Sequence, residues 1–207
     1  MSDPQNPTTS RAAQQKMLEA LRDARLQIES LKRGGDRRVA VIGMATRMPG
    51  AESVEAFWAM LEAGRSGVRE LDDAALEAAG VDPETAASDD YVRAYASFED
   101  PAGFDAGLFG YAPREATILD PQHRVFLECA WAALEDAGID STRTQARVGV
   151  YGGASLNSYL LALNADPAYR DPSNPVQAVV GNVMGLMPTR VAYHLDLKGP
   201  ACGVQTG

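Results

Sequence analysis

The spacing of hydrophobic residues predicts one long helix near the N-terminus. Residues 11–33 contain no glycine or proline, and the paired Gly34 and Gly35 end the predicted helix. Its apolar positions follow a heptad spacing, at Met17, Leu21, Ala24, Ile28 and Leu31. This seam indicates either a helix that pairs or docks with a partner helix, or a surface helix that packs on its own domain. The polar residues 1–10 are predicted to be disordered.

The rest of the pattern alternates short apolar runs with amphipathic segments. Buried strands are predicted at residues 38–44, 148–151 and 199–207. Ser53 and the pair Asp120-Pro121 are typical helix starts, which predicts helices that end near residues 63 and 137. A further helix, rich in methionine and small residues, is predicted over residues 176–195. Strands that alternate with helices predict an α/β fold with a parallel core sheet.

Charge is distributed unevenly along the chain, whose formal net charge is −9. Residues 1–38 carry eight Lys/Arg against five Asp/Glu, whereas residues 69–105 carry eleven acids against two arginines. The acidic stretch indicates a solvated surface insertion or, alternatively, an electrostatic contact for a partner. Because nucleic-acid binding needs a basic surface, no nucleic-acid partner is expected.

Length and composition exclude several further classes of protein. No apolar run reaches the roughly 18 residues of a membrane helix, and the polar N-terminus has no secretory apolar region. Two cysteines and two histidines are too few for a disulfide scaffold or a Cys/His zinc cluster, so no metal is expected. We therefore expect a cytoplasmic protein with no membrane partner.

No complete catalytic set occurs within the sequence. The run Gly153-Ala-Ser-Leu-Asn lacks the second glycine of a nucleophile elbow, and the glycine patterns of dinucleotide-binding loops and P-loops are absent. His123 and His194 are 71 positions apart and have no evident shared partner. Cys129 is expected to be a core residue of its helix, and Cys202 is expected to point into a sheet layer.

A series of short motifs runs through the chain in a consistent order. They are Val39-Ala-Val-Ile-Gly-Met, Arg47-Met-Pro-Gly, Phe104-Asp-Ala-Gly-Leu-Phe-Gly, Pro113-Arg-Glu-Ala, Leu119-Asp-Pro-Gln-His-Arg-Val-Phe-Leu-Glu, Trp131-Ala-Ala-Leu-Glu-Asp-Ala-Gly, Gly149-Val-Tyr-Gly-Gly-Ala, Arg190-Val-Ala-Tyr and Leu197-Lys-Gly-Pro. Together they resemble the β-ketoacyl synthase (ketosynthase) domain of modular type I polyketide synthases. The resemblance implies that residues 36–207 form the N-terminal half of a thiolase-like α/β fold, preceded by a coiled-coil-like docking or linker helix at residues 11–35.

The resemblance also implies a function. A ketosynthase is an acyltransferase that extends a carrier-bound acyl chain by decarboxylative condensation, in polyketide or fatty-acid-like biosynthesis. It binds no cofactor directly, because the phosphopantetheine arm belongs to a partner acyl carrier protein. The implied assembly is a homodimer of the full enzyme, with the N-terminal helix contacting an upstream synthase subunit. The alternative is a non-catalytic docking or dimerisation fragment.

The family's nucleophile motif is the last part of the chain that the resemblance covers. Its flanking positions are Gly199, Val204, Gln205, Thr206 and Gly207, so the nucleophilic cysteine is expected directly after Gly207. Cys202 is out of register with that motif, so no catalytic residue is assigned within the chain and we expect no condensing activity from it alone. The methionine-rich helix is expected to lie near the acyl pocket or the dimer interface, through Met184, Leu186 and Met187.

Overall fold

The computed structural model describes residues 7–33, 39–98, 100–169 and 175–205, with the side chains of the first helix described over residues 16–30. The chain divides into two compact units, Met1–Val41 and Ile42–Gly207.

The first unit contains helix α1, Pro7–Arg33. This helix starts four residues earlier than predicted, inside the segment predicted to be disordered, while residues 34 and 35 lie outside the described part. The seam side chains of Met17, Leu21 and Ile28 are all more than half exposed, and Ala24 is exposed as well. The Leu31 side chain lies outside the described residues. The predicted helix is therefore confirmed, while its pairing with another helix stays a prediction.

The second unit has a mixed α/β architecture, which confirms the predicted fold class at that level. Its helices are α2 Val54–Glu62, α3 Asp73–Ala78, α4 Pro83–Ala86, α5 Pro113–Ile118, α6 Pro121–Asp136, α7 Tyr159–Ala165, α8 Pro175–Asn182 and α9 Met187–His194, with a 3₁₀ turn at Met184–Leu186. Its strands are β1 Arg69–Glu70, β2 Ala94–Tyr95, β3 Val150–Gly152 and β4 Ala201–Gly203. Strands β1 and β2 form an antiparallel pair in the acidic stretch.

The core lies where the parallel pair β3–β4 packs with helices α6 and α9. The two strands are in register from Val150 opposite Ala201 to Gly152 opposite Gly203. Val150 of β3 belongs to the main hydrophobic cluster, whose other buried residues are Phe109, Leu127, Val191 and Leu195. Two of the three predicted strands are thus confirmed, and their parallel pairing agrees with the prediction of a parallel sheet.

The remaining predicted strand is the first in the chain, at residues 38–44. The prediction is wrong for residues 39–44, which the structure describes and which have no strand conformation. Gly43 instead lies against α6, so closely that a Cβ atom on it would be 2.4 Å from the Ala133 carbonyl oxygen. The Met44 N–H donates to a carboxylate oxygen of Asp136 at 2.8 Å. Apolar residues alone do not make a strand, because a strand also needs a backbone partner, and none of the described residues supplies one to this segment.

The predicted continuous helix over residues 176–195 is also wrong, because the structure divides it into α8, the 3₁₀ turn and α9. Val183 leaves the helical region, with ψ of 112°. Pro188 has no N–H to donate, and its ring would clash with the preceding turn of a continuous helix. The chain avoids this by placing Pro188 in the first turn of α9, where a free N–H is not needed.

Helix α6 begins as predicted, since the Asp120 side chain accepts from the Gln122 N–H at 2.8 Å. Its burial differs in detail. The predicted stripe was Val125, Phe126, Cys129, Ala130, Ala133 and Leu134, all of which are only partly buried, whereas His123, Arg124 and Leu127 are the buried residues. Phe126, Ala130 and Leu134 of the predicted stripe nevertheless pack against the main hydrophobic cluster, to which α6 contributes the fully buried Leu127.

The acidic stretch uses several of its carboxylates locally. Asp72 and Asp82 cap α3 and α4 by accepting from the Ala75 and Thr85 N–H groups at 2.8 and 3.0 Å. Arg93 forms an ion pair with Asp73 at 2.6 Å and also donates to a backbone carbonyl. These contacts support the interpretation of a folded surface insertion, because capping and pairing account for part of its charge.

Candidate functional site

A cavity of about 240 Å³ lies at the carboxyl ends of β3 and β4. We call it the strand-end cavity. It is lined by Gly152, Gly153, Ala154, Met184, Gly185, Gly203, Val204 and Gln205. The structure thus brings together Val204 and Gln205 of the predicted nucleophile-flanking motif with Met184 of the predicted acyl pocket. Thr206 and Gly207 lie outside the described residues.

Small residues make the strand-end cavity possible. The Val204 N–H donates to the Gly152 carbonyl at 2.8 Å, which extends the β3–β4 pairing by one bond. A Cβ on Gly153 would lie 2.6 Å from the Val204 carbonyl oxygen, and one on Gly203 would contact the Gly185 backbone at 3.4 Å. Glycine therefore lets three backbone segments approach each other closely at this point, as is common where a ligand approaches the ends of parallel strands.

Gly199, the first residue of the predicted motif, has a different role from the residues that line the cavity. A Cβ on it would lie 2.4 Å from the Val148 carbonyl oxygen and 2.5 Å from the Gly149 nitrogen. The Gly199 N–H donates to that same Val148 carbonyl at 2.8 Å. Gly199 therefore sets the close approach at which β4 enters the sheet, at the opposite end from the cavity.

Three amide side chains hold the walls of the strand-end cavity, and we call Gln122, Asn157 and Asn182 the amide clamp. Gln122 at the start of α6 accepts from the Ser155 N–H at 2.9 Å and donates to the Ser155 carbonyl at 3.4 Å. Both bonds fix the loop that follows β3, immediately after the cavity residues Gly153 and Ala154. The walls are therefore held from α6 by a side chain that does not itself line the cavity.

The other two amides of the clamp join that loop to the end of α8. The Asn157 Nδ2 donates to the Asn182 carbonyl at 2.8 Å and to its side-chain oxygen at 3.0 Å. The Asn182 Nδ2 in turn donates to the Ile118 and Ala178 carbonyls at 2.8 and 2.6 Å. Asn182 is only 4% exposed, and only Val183 separates it from the turn that carries Met184. Asn182 therefore fixes where Met184 meets the cavity.

The amide clamp was not among the residues predicted for the site. Its signal in the sequence is the isolated polar residue Asn182 in the apolar run Ala178-Val-Val-Gly-Asn-Val-Met. A buried polar side chain in such a run needs hydrogen-bond partners, but the sequence alone does not say where these lie.

The predicted set Met184, Leu186 and Met187 does not form one surface. Met184 lines the strand-end cavity, whereas Met187 is 1% exposed and lies beneath Gly152, whose Cβ would be 3.1 Å from the Met187 methyl carbon. Leu186 lines a separate, larger cavity of about 480 Å³ with Gly110, Tyr111, Glu115, Thr189, Arg190, Tyr193 and His194. The division of the predicted helix into three pieces separates these residues.

His123, Cys129 and His194 are all at least partly buried. His123 is 1% exposed, neither ring nitrogen has a hydrogen-bond partner among the described residues, and burial lowers its pKa. Burial likewise lowers the pKa of His194, whose ring lies 4.4 Å from that of Tyr111 between centroids. Burial raises the pKa of Cys129, which is opposite to the activation of a nucleophilic thiol. Cys202 is exposed on β4, opposite the equally exposed Tyr151, so the expectation that it points into a covered sheet layer is wrong: none of the described elements covers this face of the strand pair.

The described residues contain no group of three or more His, Cys, Asp or Glu side chains placed to hold a metal ion. None of their helices combines the length and apolar character that crossing a membrane requires.

Comparison with known proteins identifies the family to which these features correspond. The model of the β-ketoacyl synthase N-terminal domain matches residues 36–207. One component of the phenolphthiocerol/phthiocerol polyketide synthase of Mycobacterium tuberculosis is 40% identical over 180 residues, which are 83% of this chain and 12% of that protein. A pikromycin polyketide synthase component of Streptomyces venezuelae is 38% identical over 178 residues, 83% of this chain and 5% of that protein.

Solved structures agree with these relatives. Ketosynthase twelve of the bacillaene polyketide synthase in Bacillus amyloliquefaciens superposes with a TM-score of 0.70 at 35% identity, over 81% of this chain and 29% of that chain. The ketosynthase from module 1 of the bacillaene synthase from the same species gives a TM-score of 0.67 at 32% identity, with the same coverage. The chain therefore spans less than a third of these ketosynthases and about an eighth or less of the curated relatives named above.

Proposed function

Because the chain belongs to the β-ketoacyl synthase family through its N-terminal domain, we propose that it is part of a ketosynthase that extends a carrier-bound acyl chain. The family match over residues 36–207 carries this proposal. The strand-end cavity supports it, since Val204 and Gln205 of the sequence that resembles the family's nucleophile motif line a cavity at the ends of parallel strands. The relatives named above are polyketide synthases, which supports a polyketide as the product.

The proposed reaction has two covalent stages. A cysteine thiolate directly after Gly207 attacks the thioester of an acyl carrier protein, so that the acyl group moves to the enzyme sulfur and the phosphopantetheine leaves as its thiolate. A malonyl-type unit on a second carrier then loses carbon dioxide, and the resulting carbanion attacks the acyl-enzyme thioester, which releases the cysteine thiolate. The new carbon–carbon bond and the free enzyme form in that same step.

Residues of this chain would shape the site rather than supply its acids and bases. Val204 and Gln205 lead from β4 toward the nucleophile, and the glycines around the strand-end cavity leave room for an acyl thioester. Met184 forms a flexible wall that can adapt to the acyl chain. The amide clamp positions Met184 and the loop after β3, as its hydrogen bonds indicate.

A chimaera tests this proposal. Residues 36–207 would replace the matching segment of ketosynthase twelve of the bacillaene synthase, and mass spectrometry would follow acyl-enzyme formation and condensation with carrier-bound substrates. We expect both products. A folded dimeric chimaera that acylates no cysteine would contradict the proposal.

The chain alone should show no condensing activity, because the burial that raises the pKa of Cys129 disfavours its thiolate and Cys202 lies outside the nucleophile position. The measurement is acylation of the purified chain by an acyl carrier thioester. Modification of Cys129 or Cys202 at a rate comparable to the chimaera would overturn this expectation.

A second candidate function rests on helix α1. Its exposed seam favours a docking or dimerisation role, either with an upstream synthase subunit or between copies of the enzyme. Sedimentation of the full chain tests this role with two variants on the seam, Leu21→Lys and Ile28→Lys. The matched control is Leu26→Lys, because Leu26 is 63% exposed but lies off the seam. We expect the seam variants alone to shift assemblies toward monomer, and equal behaviour of all three variants would refute a role of the seam.

A further inference from the structure

The larger of the two cavities described above lies between the start of α5 and helix α9, and we call it the Arg190 cavity. Its volume of about 480 Å³ is typical of pockets that hold small organic ligands. Of the described residues that line it, only Arg190 and Glu115 carry a full charge at neutral pH, because burial lowers the pKa of His194. The cavity therefore presents one cation and one anion to a ligand.

The cation of this cavity, Arg190 on α9, has no carboxylate partner. Its Nη2 donates to the Val180 carbonyl at 3.0 Å, and its Nη1 makes only a long contact of 3.4 Å with the Tyr111 hydroxyl. Its buried Nε has no hydrogen-bond partner among the described residues, and none of their carboxylates forms an ion pair with the guanidinium. Because an anion stabilises a partly buried guanidinium, Arg190 is a candidate anion-binding group.

Two hydroxyl groups of the Arg190 cavity add neutral donors. The Tyr111 hydroxyl accepts from Arg190, and no described residue accepts its hydrogen. Burial raises the pKa of Tyr111, so the hydroxyl keeps that hydrogen at neutral pH. Thr189, next to Arg190 in the chain, is exposed and lines the same cavity. A guanidinium with hydroxyl donors beside it can satisfy both oxygens of a carboxylate.

The other side chains of the cavity restrict which anion fits. Both oxygens of Glu115 already accept N–H groups of this chain, at 3.2 Å each. The charge of Glu115 repels a dianion such as phosphate more strongly than it repels a singly charged carboxylate. The rings of Tyr111 and His194 lie 4.4 Å apart between centroids, and Tyr193 adds a third ring 5.2 Å from that of His194. These aromatic walls favour a ligand with an apolar, planar body.

We propose that the Arg190 cavity binds a small monocarboxylate with an apolar body, whose carboxylate contacts Arg190 and the Tyr111 hydroxyl. This binding does not depend on the ketosynthase reaction, because no residue that lines the Arg190 cavity also lines the strand-end cavity. All the lining residues belong to the second compact unit, Ile42–Gly207. The ligand can therefore be tested on the chain itself, whether or not the chimaera condenses acyl chains.

Nuclear magnetic resonance of the histidine side chains measures this binding directly. The chain contains only two histidines, His123 and His194, and of these only His194 lines the cavity. The untagged chain would be titrated with benzoate, with its uncharged counterpart benzamide and with inorganic phosphate. We expect benzoate to shift the His194 ring signals to saturation, with a dissociation constant of about 10 mM or lower for a ligand of this size. Benzamide and phosphate should each bind at least about tenfold more weakly.

Two pairs of variants identify the groups that bind the carboxylate. Arg190→Gln should weaken benzoate binding at least about tenfold, whereas Arg147→Gln, which replaces an exposed arginine outside the cavity, should not change it. Tyr111→Phe removes only the hydroxyl and should weaken binding about three- to tenfold. Its matched control is Tyr95→Phe, because Tyr95 is exposed on β2 and does not line the cavity. Circular dichroism would establish that each variant is folded.

Several results would overturn the inference. A His194 shift that grows with benzoate without saturating, or equal binding of benzoate and benzamide, would show that the cavity does not recognise a carboxylate. Phosphate binding as tight as benzoate would refute the assignment to a monocarboxylate. Equal benzoate binding by folded Arg190→Gln and Arg147→Gln would refute the role of Arg190. If Arg190→Gln does not fold, Tyr111→Phe decides, and binding as tight as that of Tyr95→Phe would overturn the inference.

Discussion

Replacing Asn182 by leucine tests whether the amide clamp holds the walls of the strand-end cavity. The substitution keeps a side chain of similar size but removes three hydrogen bonds, two donated to the Ile118 and Ala178 carbonyls and one accepted from Asn157. Ile118 is itself buried, so its carbonyl oxygen would lose the donor in a place where water does not easily replace it.

The expected loss of stability follows from these bonds. Each contributes about 1 kcal/mol net, and the apolar surface of the buried leucine offsets about 1 kcal/mol of their sum. The free energy of unfolding should therefore fall by about 2 kcal/mol, and by more if the Ile118 oxygen stays unpaired. In a chain of this size, a change of that magnitude lowers the midpoint of thermal unfolding by about 4–8 °C.

Urea and thermal unfolding, followed by circular dichroism, provide the assay. Gln145→Leu is the matched control, because Gln145 is an exposed amide outside the clamp and its replacement should change stability by less than about 0.5 kcal/mol. A double-mutant cycle between Asn157→Ala and Asn182→Ala should give a coupling energy of about 0.5–2 kcal/mol. Indistinguishable midpoints for Asn182→Leu and Gln145→Leu, together with zero coupling, would refute the clamp.

Three further predictions concern the fold around the site. Gly43→Ala should destabilise by about 2 kcal/mol, because its Cβ would lie 2.4 Å from the Ala133 oxygen, whereas Gly185→Ala, which faces open space, should be neutral in the same urea titration. Arg47→Met should lower the unfolding free energy by about 1–3 kcal/mol, since Arg47 pairs with the partly buried Glu128 at 2.8 Å; an unchanged urea midpoint would count against this. Burial lowers the pKa of folded His123 from 6.5, so the unfolded state of the unsubstituted chain binds the proton more readily and its stability falls as pH drops below about 6.5. His123→Leu removes this titration, so it should raise the stability of the chain and reduce its decline in acid. Parallel pH–stability curves of His123→Leu and the unsubstituted chain would contradict this assignment.

Local signals in the sequence were sufficient for several elements. Asp120 followed by Pro121 fixes the start of α6, because the aspartate side chain caps the helix and proline tolerates its first turn. The strands β3 and β4 were also predictable, since short apolar runs next to glycines favour buried strands with close neighbours. In each case the residues that determine the element lie within it or at its end.

The sequence was insufficient where a partner distant in the chain decides the outcome. Residues 39–44 have the composition of a strand, but their hydrogen bonding depends on segments that the pattern does not specify. The end of α8 depends on Asn182, whose side chain bonds to Ile118, 64 positions away. The amide clamp was missed for the same reason, since Gln122 and Ser155 are 33 positions apart and neither resembles a functional residue by itself.

Contacts between distant parts of the chain also determine the shape of the strand-end cavity. The strand-end cavity is formed by three segments, and each is held by a different interaction: Val204 by its bond to the Gly152 carbonyl, the loop after β3 by Gln122, and the turn at Met184 by Asn182. Because Gln122 and Asn182 do not line the cavity, their replacement would shift its walls without removing a contact to an acyl chain. In the chimaera, substitutions in the clamp should therefore change the preference among acyl chains of different length, while replacement of a distant exposed amide such as Gln145 should leave that preference unchanged.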